Sequence, residues 1–450
     1  MCALLGDAEA GALCTALTQT APIVSVRTNP AKPAPLDGLL ASTRRVPWCA
    51  SGHYLPERPA FTFDPLLHAG AYYVQEAASM LVEQAYRAIA RDLLPARLLD
   101  LCAAPGGKST LWRALLPDEA LLVANEPMRN RAQILAENLC KWGHPNVVVT
   151  NAFPADFAPF AAAFDVIAAD VPCSGEGMFR KDAEARAEWS AEAVVRCAER
   201  QRGIVSDIWP CLREGGYFVY STCTYNREEN EDTVAWICRE LGAELVPLDV
   251  PAEWGFVGDK TGRGLEVYHA FPHRVKGEGF FLALLRKTSD TPAARLPKVK
   301  SAKSAPIAQP EALLEAIENG ANYRLFRPTP DTITAIPAAH FDLAQALHAH
   351  LHCLTLGVLL AEEKGRKRIP QHALALSTAL RREAVALVPL DRPTALSYLR
   401  REAISLPPET PRGHVVVTIE GLPLGWVNNL GTRANNLYPQ EWRIKSRVES

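Results

Sequence analysis

The chain has 450 residues, 48% of them apolar and 22% charged, with 35 Pro and 27 Gly. That balance describes a globular protein and excludes a collagen, a coiled-coil rod or a mainly disordered chain. The 48 basic and 50 acidic residues nearly cancel, leaving a formal charge of −2, so a polyanionic partner has to be met by local patches rather than by bulk charge.

The length suggests several domains of roughly 100–200 residues each. No run approaches the ~18 consecutive apolar residues that span a bilayer. The start, MCALLGDAEAGALCTAL, has no basic leader and carries Asp7 and Glu9 early, so no secretory signal is expected and the location is cytoplasmic. The 11 cysteines are odd in number and irregularly spaced, which predicts reduced thiols rather than a disulfide framework. No CxxC pair occurs, so no metal site is expected.

Residues 1–85 are mixed and turn-rich, as in NPAKPAP (29–35) and LPERPAF (55–61), and read as an accessory domain. From 86 to 287, short apolar runs alternate with longer amphipathic ones. RLLDL (97–101), LLVAN (121–125), NVVVT (146–150), DVIAAD (165–170) and YFVYST (217–222) read as buried strands, and 108–115, 129–142 and 191–212 as helices. In the second helix Ile134, Leu135, Asn138 and Leu139 are placed on one side. Such alternation predicts an α/β domain, a doubly wound parallel sheet with right-handed crossovers. Residues 288–310 are Pro-, Ala- and Ser-rich and read as a linker. Residues 311–450 then form a separate unit, opened by a helix at EALLEAIE and followed by strands LTLGVLL (354–360) and HVVVTIE (414–420).

RLLDLCAAPGGKSTLWRALL runs from a strand through a glycine turn into a helix, the usual ligand cradle of this fold. A phosphate-binding Walker loop would need Gly where the chain has Cys102, and no GxGxxG is present. Gly106 and Gly107 let the backbone approach a ligand, and Glu126, about 20 positions on, is placed to accept from both ribose hydroxyls. An adenosine-type ligand without a phosphate loop fits, and S-adenosylmethionine meets that description. A tight turn without a ligand is the plain alternative.

Cys173 and Cys223 each follow a strand and emerge among polar and turn residues at the carboxyl edge of the sheet. Arg180, Lys181 and Arg227 are near in sequence and able to lower a thiol pKa. Cys102, Cys140, Cys197, Cys211, Cys238 and Cys353 read as packing residues. A thiolate has a use here: C5 of cytosine is a poor nucleophile until sulfur adds to C6 and pushes electron density onto it. A second acid–base group would help release, and an acid such as Asp170 would bind the N3/N4 edge of the base.

LDLCAAPGGKST, NEPMRNRAQILAENL, DVPCSGEGMFRKD and YSTCTYNREENE together resemble the NOL1/NOP2/Sun family of RNA 5-methylcytosine methyltransferases. RVPWCASGHYL, YYVQEAASM and GFFLALLRK extend the likeness, and GLPLGWVNNLGTRANNLYPQEWRIKS is similar to the C-terminal module of the bacterial RsmF-like branch, which modifies 16S ribosomal RNA. The resemblance implies a Rossmann-like class I methyltransferase core (86–287), a small α+β N-terminal RNA-binding domain (1–85) and a C-terminal PUA-like RNA-binding module within 311–450. It also implies that Cys223 is the nucleophile and that Cys173 assists product release. The cofactor loop falls on Cys102, Ala103, Ala104, Pro105, Gly106, Gly107 and Lys108, the ribose acid on Glu126, and the acid preceding the PCSG motif on Asp170. The partner implied is small-subunit ribosomal RNA or a pre-ribosomal particle, met by a monomer. A transfer-RNA methyltransferase of the same family and a catalytically idle assembly factor are the alternatives.

Three departures stand out. Where relatives carry an Asp after the third strand this chain has Phe153, leaving Asn151, Asp156 or a packing role for Phe153 at the adenine. DVPC replaces the usual DAPC, and the chain starts late compared with family members, as a misassigned start would leave it. For RNA, the candidate patches are Arg44/Arg45, Arg129/Arg131, Arg180/Lys181, linker lysines 298, 300 and 303, and EKGRKRIP (363–370). Trp426, Tyr438 and Trp442 read either as base-stacking aromatics or as the core of a small barrel, with core favoured for Trp426.

Overall fold

The computed structural model describes residues 2–292, 296–299, 305–365 and 367–446. Its centre is a nine-stranded sheet built from β1 (Arg97–Asp100), β2 (Leu121–Asn125), β3 (Val147–Thr150), β4 (Phe164–Asp170), β5 (Leu212–Thr222), β6 (Ala243–Leu245), β7 (Tyr268–Ala270), β8 (Phe280–Lys287) and β9 (Cys353–Leu356). The order is β6-β8-β5-β4-β1-β2-β3-β9, with β7 also on β8. The five inner strands are parallel. Those at both edges run antiparallel, so the sheet is mixed rather than purely parallel.

Alternation along these short apolar strands explains why both faces are covered. Leu98, Leu122, Ala124, Val149 and Val166 point to one face, where they meet Leu111 and Trp112 of helix α1 (Gly107–Leu115) and Leu135 and Leu139 of α2 (Arg129–Trp142). Leu99, Leu121, Val123, Val148 and Ile167 point to the other, against Val205 and Ile208 of α3 (Ala191–Ile208) and Val234 and Ile237 of α4 (Glu231–Leu241). This is the doubly wound arrangement that buried parallel strands require. Two expected details differ. Ile134 is exposed, because the buried stripe of α2 is Ala132, Leu135, Leu139 and Trp142, and one residue off that stripe turns the side chain away by about 100°. Helix α3 stops at Ile208 rather than 212, since Pro210 cannot continue it, and a single 3₁₀ turn leads into β5.

The N-terminal region contributes a helix (Asp7–Gln19) and a four-stranded antiparallel sheet in the order Arg44–Arg45, Gly52–Leu55, Val24–Thr28, Tyr72–Val74. It braces the glycine-turn side of the core. Buried Arg27 donates to Gln75 and to Thr110 of α1, and buried Lys32 donates to the carbonyl of Lys141 at the end of α2 at 2.6 Å. The C-terminal region holds two more four-stranded sheets, one built on Thr332–Pro337 and Val358–Lys364, the other on Gly413–Ile419 and Leu422–Asn429.

The segment from 311 onward is not packed apart from the core. The run 354–360, expected as one strand, is broken at Gly357, whose φ is +62° and where a Cβ would lie 2.2 Å from the carbonyl of Ala335. Its first half becomes β9 and pairs with β3, and its second half joins a different sheet. Phe341, Leu343, Leu347 and Leu351 fill the same apolar cluster as Phe157, Phe164 and Val148, while Tyr398, Val417 and Leu424 pack with Leu55 and Tyr72 of the N-terminal sheet. Truncating Phe341, which also lies under the Arg324 guanidinium, to Ala is expected to cost about 3–5 kcal/mol in urea unfolding. A loss confined to a few tenths would mean the seam carries no stability.

Candidate active site

Strand β1 ends at Asp100, and the chain turns through Cys102–Gly106 into α1. Gly106 is the N-cap of that helix at φ +117°, a conformation that side chains with a Cβ avoid. Helix α2 holds the turn from outside: Arg131 donates to the carbonyl of Ala104 and Asn138 to that of Pro105, both at 2.8 Å. Ala103 donates its N–H to Asn125. Glu126 follows β2, its carboxylate buried, accepting one backbone N–H from Met128 and lying 3.5 Å from Arg131. That leaves acceptor capacity for a ligand's hydroxyls. Burial and the neighbouring carboxylates push the Cys102 thiol far up, so it stays protonated and its part in the turn is its backbone.

Asp100 lies beneath the turn, accepts from Ser109 at 2.6 Å, and is pushed up to about 7, by burial above all. The folded state thus holds this proton more tightly than the unfolded chain does. Its contribution to stability is complete below the ordinary Asp value and is lost as pH rises through about 7. Denaturation of the ligand-free protein is expected to show stability falling between about pH 4 and 7, with Asp100→Asn flattening the fall. An unchanged slope in that variant would remove Asp100 as its source.

Strands β4 and β5 carry the two cysteine loops. Asp170, at the end of β4, takes the ammonium of Lys108 at 2.7 Å on one oxygen and the hydroxyl of Ser221 at 2.9 Å on the other, tying the glycine turn to both strands. Burial works against the charge on Lys108, but Asp170 overrides it and holds the ammonium above its usual value. Three residues beyond Asp170, Cys173 brings its Sγ to 3.1 Å from the Sγ of Cys223, and both cysteines are half-buried. Asn230 holds the flanks of Cys223, accepting from Thr222 Oγ1 at 2.7 Å and donating to the carbonyl of Thr224 at 3.0 Å. Gly177 donates its N–H to the carbonyl of Cys223, so closely that a Cβ there would lie 2.4 Å from that oxygen. The hydrogen bond to Cys223, then burial, raise the Cys173 thiol well above the ordinary range, which keeps it protonated.

The structure brings Asp170, Lys108, Cys173, Cys223 and the glycine turn to one edge of the sheet, and it corrects several neighbours. Arg180 and Lys181 pair with Glu278, and Arg227 with Asp232, so none of the three is directed at a thiol. Asn151 uses its amide to hold the carbonyls of Glu126 and Pro127, and Asp156 accepts the N–H of Phe153, whose ring is 65% exposed. The Asn151 amide and one oxygen of Asp156 thus serve the backbone, and Phe153 is left exposed. Val171 of DVPC is absorbed into the core. Trp426 and Tyr438 are buried and belong to the core, whereas Trp442 is half-buried and packs edge-on against His372. Of the basic patches, Arg44, Arg45, Arg129 and Arg131 are exposed, with Arg131 engaged at the glycine turn, and Arg368 pairs with Glu363. Lys300, Lys303 and Arg366 lie outside the described residues. Glu176, Gln201 and Glu229, all buried around the cysteine loops, were not anticipated. The only sequence signal of the two acids is their place inside SGEGM and NREENED, which reads as a solvated charge run, and Gln201 has none.

A glycine turn with no phosphate loop and a buried acid after β2, on this sheet order, are the features of an S-adenosylmethionine-dependent methyltransferase. The comparisons agree. Residues 94–286 match the model of the 16S rRNA methyltransferase RsmB/F family, residues 1–77 the N-terminal domain of 16S rRNA methyltransferase RsmF, and residues 385–444 the methyltransferase RsmF PUA domain. The ribosomal RNA small subunit methyltransferase F of Escherichia coli O157:H7 is 34% identical over 418 residues, covering 88% of this chain and 84% of its own. A methyltransferase homologue from Pyrococcus horikoshii superposes with a TM-score of 0.52 at 26% identity, over 63% of this chain and 91% of its own. NSun6 from Pyrococcus horikoshii, solved with SFG, shares the fold at 22% identity and TM-score 0.53, over 64% of this chain and 97% of its own. The chain belongs to the RsmB/F methyltransferase family and carries the N-terminal and PUA domains of its RsmF branch. S-adenosylmethionine is its methyl donor. No helix among the described residues is long and apolar enough to cross a membrane.

Proposed function

We propose that this protein transfers a methyl group to C5 of a cytosine in 16S ribosomal RNA through a covalent bond between Cys223 and C6 of the base. The observation that carries the reading is the 3.1 Å separation of the Cys173 and Cys223 sulfurs beside the Lys108–Asp170 pair. S-adenosylmethionine supplies an electrophilic methyl group at its sulfonium, held by the turn 102–108 and Glu126. Cys223 adds to C6, and Asp170, kept in place by Lys108 and Ser221, faces the N3/N4 edge and accepts from the N4 amino group, while the Lys108 ammonium beside it offsets the negative charge that the attack places on the ring. Once C5 is methylated, water takes its proton, the C5–H electron pair re-forms the C5–C6 double bond, and the C6–sulfur bond breaks with its pair leaving on Cys223. The protonated thiol of Cys173 donates a hydrogen bond to the departing Cys223 sulfur, which makes it a better leaving group. The target base must be flipped from its stack to reach this edge, and the N-terminal and PUA domains position the RNA around it. The protein acts as a monomer in the reducing cytoplasm, where both thiols stay free. Neither a transfer-RNA substrate nor an idle assembly role is favoured by the family match.

The test is methylation with labelled S-adenosylmethionine of 16S rRNA, small subunits and transfer RNA side by side, followed by nucleoside mass spectrometry. The expected product is 5-methylcytidine in 16S rRNA or the small subunit. Label in transfer RNA alone, or in a nucleoside other than 5-methylcytidine, contradicts the reading.

A further inference from the structure

Two buried carboxylates cross between the cysteine loops in opposite directions. Glu176, on the Cys173 loop, accepts at one oxygen from Thr224 Oγ1 and the N–H groups of Tyr225 and Asn226, at 2.7, 2.7 and 3.0 Å. Its other oxygen accepts from the Trp189 indole at 3.1 Å. Glu229, beyond Cys223, accepts from the N–H of Ser174 at 3.0 Å, from Gln201 at 2.7 Å and from Asn226 at 2.7 Å. Each acid therefore grips the loop that carries the other cysteine, and the residues gripped are one to three positions from a sulfur.

Stability does not account for this pair. Neither acid is in an ion pair among the described residues, and both are essentially inaccessible. Removing an unpaired carboxylate from water costs several kcal/mol, and apolar residues of similar volume would fill the space at less cost. Every partner is a donor, so the sites accept only a fully ionised, acceptor-only group; a Gln at 229 would point an amide N–H₂ at the donors of Gln201 or Asn226. Burial raises the Glu229 carboxyl, while those donors hold it down. Its charge also adds to the forces that keep Cys173 protonated.

We propose that Glu176 and Glu229 are positioning residues: a reciprocal clasp that sets the spacing of the two sulfurs, on which resolution of the covalent adduct depends more than its formation. The inference rests on the roles of Cys173 and Cys223 given above. If the clasp loosens, Cys223 still reaches C6 of a bound cytosine, but Cys173 is no longer within reach of the leaving sulfur.

Two measurements on the full-length protein test this, with Glu229→Gln as the main variant and Glu176→Gln as the second. Dibromobimane bridges two thiols only when they lie a few ångströms apart, and peptide mass mapping reads the bridge without RNA. The expected result is a 173–223 bridge in wild type, strongly reduced in Glu229→Gln and less so in Glu176→Gln, which disturbs chiefly the Trp189 side. With RNA and S-adenosylmethionine, resolution of the adduct is expected to slow by about tenfold or more in Glu229→Gln, with KM for RNA little changed and adduct accumulating on denaturing gels. A variant that bridges its thiols and turns over like wild type overturns the clasp, as does one whose only defect is a lowered melting temperature. Should Glu229→Gln fail to fold, Glu176→Gln alone decides by the same two readouts. If the bridge responds as expected but wild type and Cys173→Ala never form an RNA adduct, the failure belongs to the covalent mechanism and not to the clasp.

Discussion

Replacing Cys223 by Ala is expected to abolish methyl transfer, lowering the rate by at least about a thousandfold, while leaving the fold and S-adenosylmethionine binding intact. The size of the effect follows from the chemistry: without sulfur at C6, C5 of cytosine has too little electron density to attack a methyl group, and no other side chain substitutes. Cys173 is 3.1 Å away, and burial and the charge of Glu229 still raise its thiol once the Cys223 hydrogen bond is gone, so it is a poor replacement nucleophile. Stability should change little, because the thiol is half-buried at the sheet edge and the strand is fixed by Asn230 and Gly177 through groups other than the Cys223 side chain. Single-turnover methylation measures the loss, and isothermal titration with S-adenosylmethionine checks that the cofactor site survives. Near-normal turnover would remove Cys223 as the nucleophile.

Replacing Cys173 by Ala is expected to give a different failure. Attack and methyl transfer proceed, but the departing sulfur has lost its hydrogen-bond donor, so protein and RNA remain covalently joined. The result is a slowly migrating band on a denaturing gel that requires S-adenosylmethionine and disappears in the Cys173→Ala/Cys223→Ala double variant. The two single variants thus separate attack from release. Free RNA with normal turnover in Cys173→Ala would deny that residue any part in release.

What the sequence reveals about this molecule follows from how local each feature is. The five inner strands and the turn at Gly106 are legible because alternation and turn chemistry act over a few residues. Cys173 and Cys223 are legible as a pair because both follow strands of one parallel sheet, which puts their loops on the same edge. The rest depends on partners far along the chain. Arg180 and Lys181 look like cations for a thiol until Glu278, about a hundred positions away, claims them. Strand β9 looks like part of a separate unit because its partner β3 lies some two hundred residues earlier. Acids 176 and 229 look solvated, since nothing nearby in sequence announces the donors that surround them. Phe153 marks a different limit: the departure is visible in the sequence, but only the folded chain shows that the Asn151 amide and one oxygen of Asp156 are engaged with the backbone.

The central claim is the identity of the attacking sulfur, and RNA carrying 5-fluorocytosine tests it most directly. Fluorine at C5 blocks the loss that ends the reaction, so the wild-type protein should be trapped on the RNA in the presence of S-adenosylmethionine. Digestion and mass spectrometry should then find the methylated, fluorinated base attached to the peptide containing Cys223. Attachment to Cys173, or no covalent complex at all, would contradict the account.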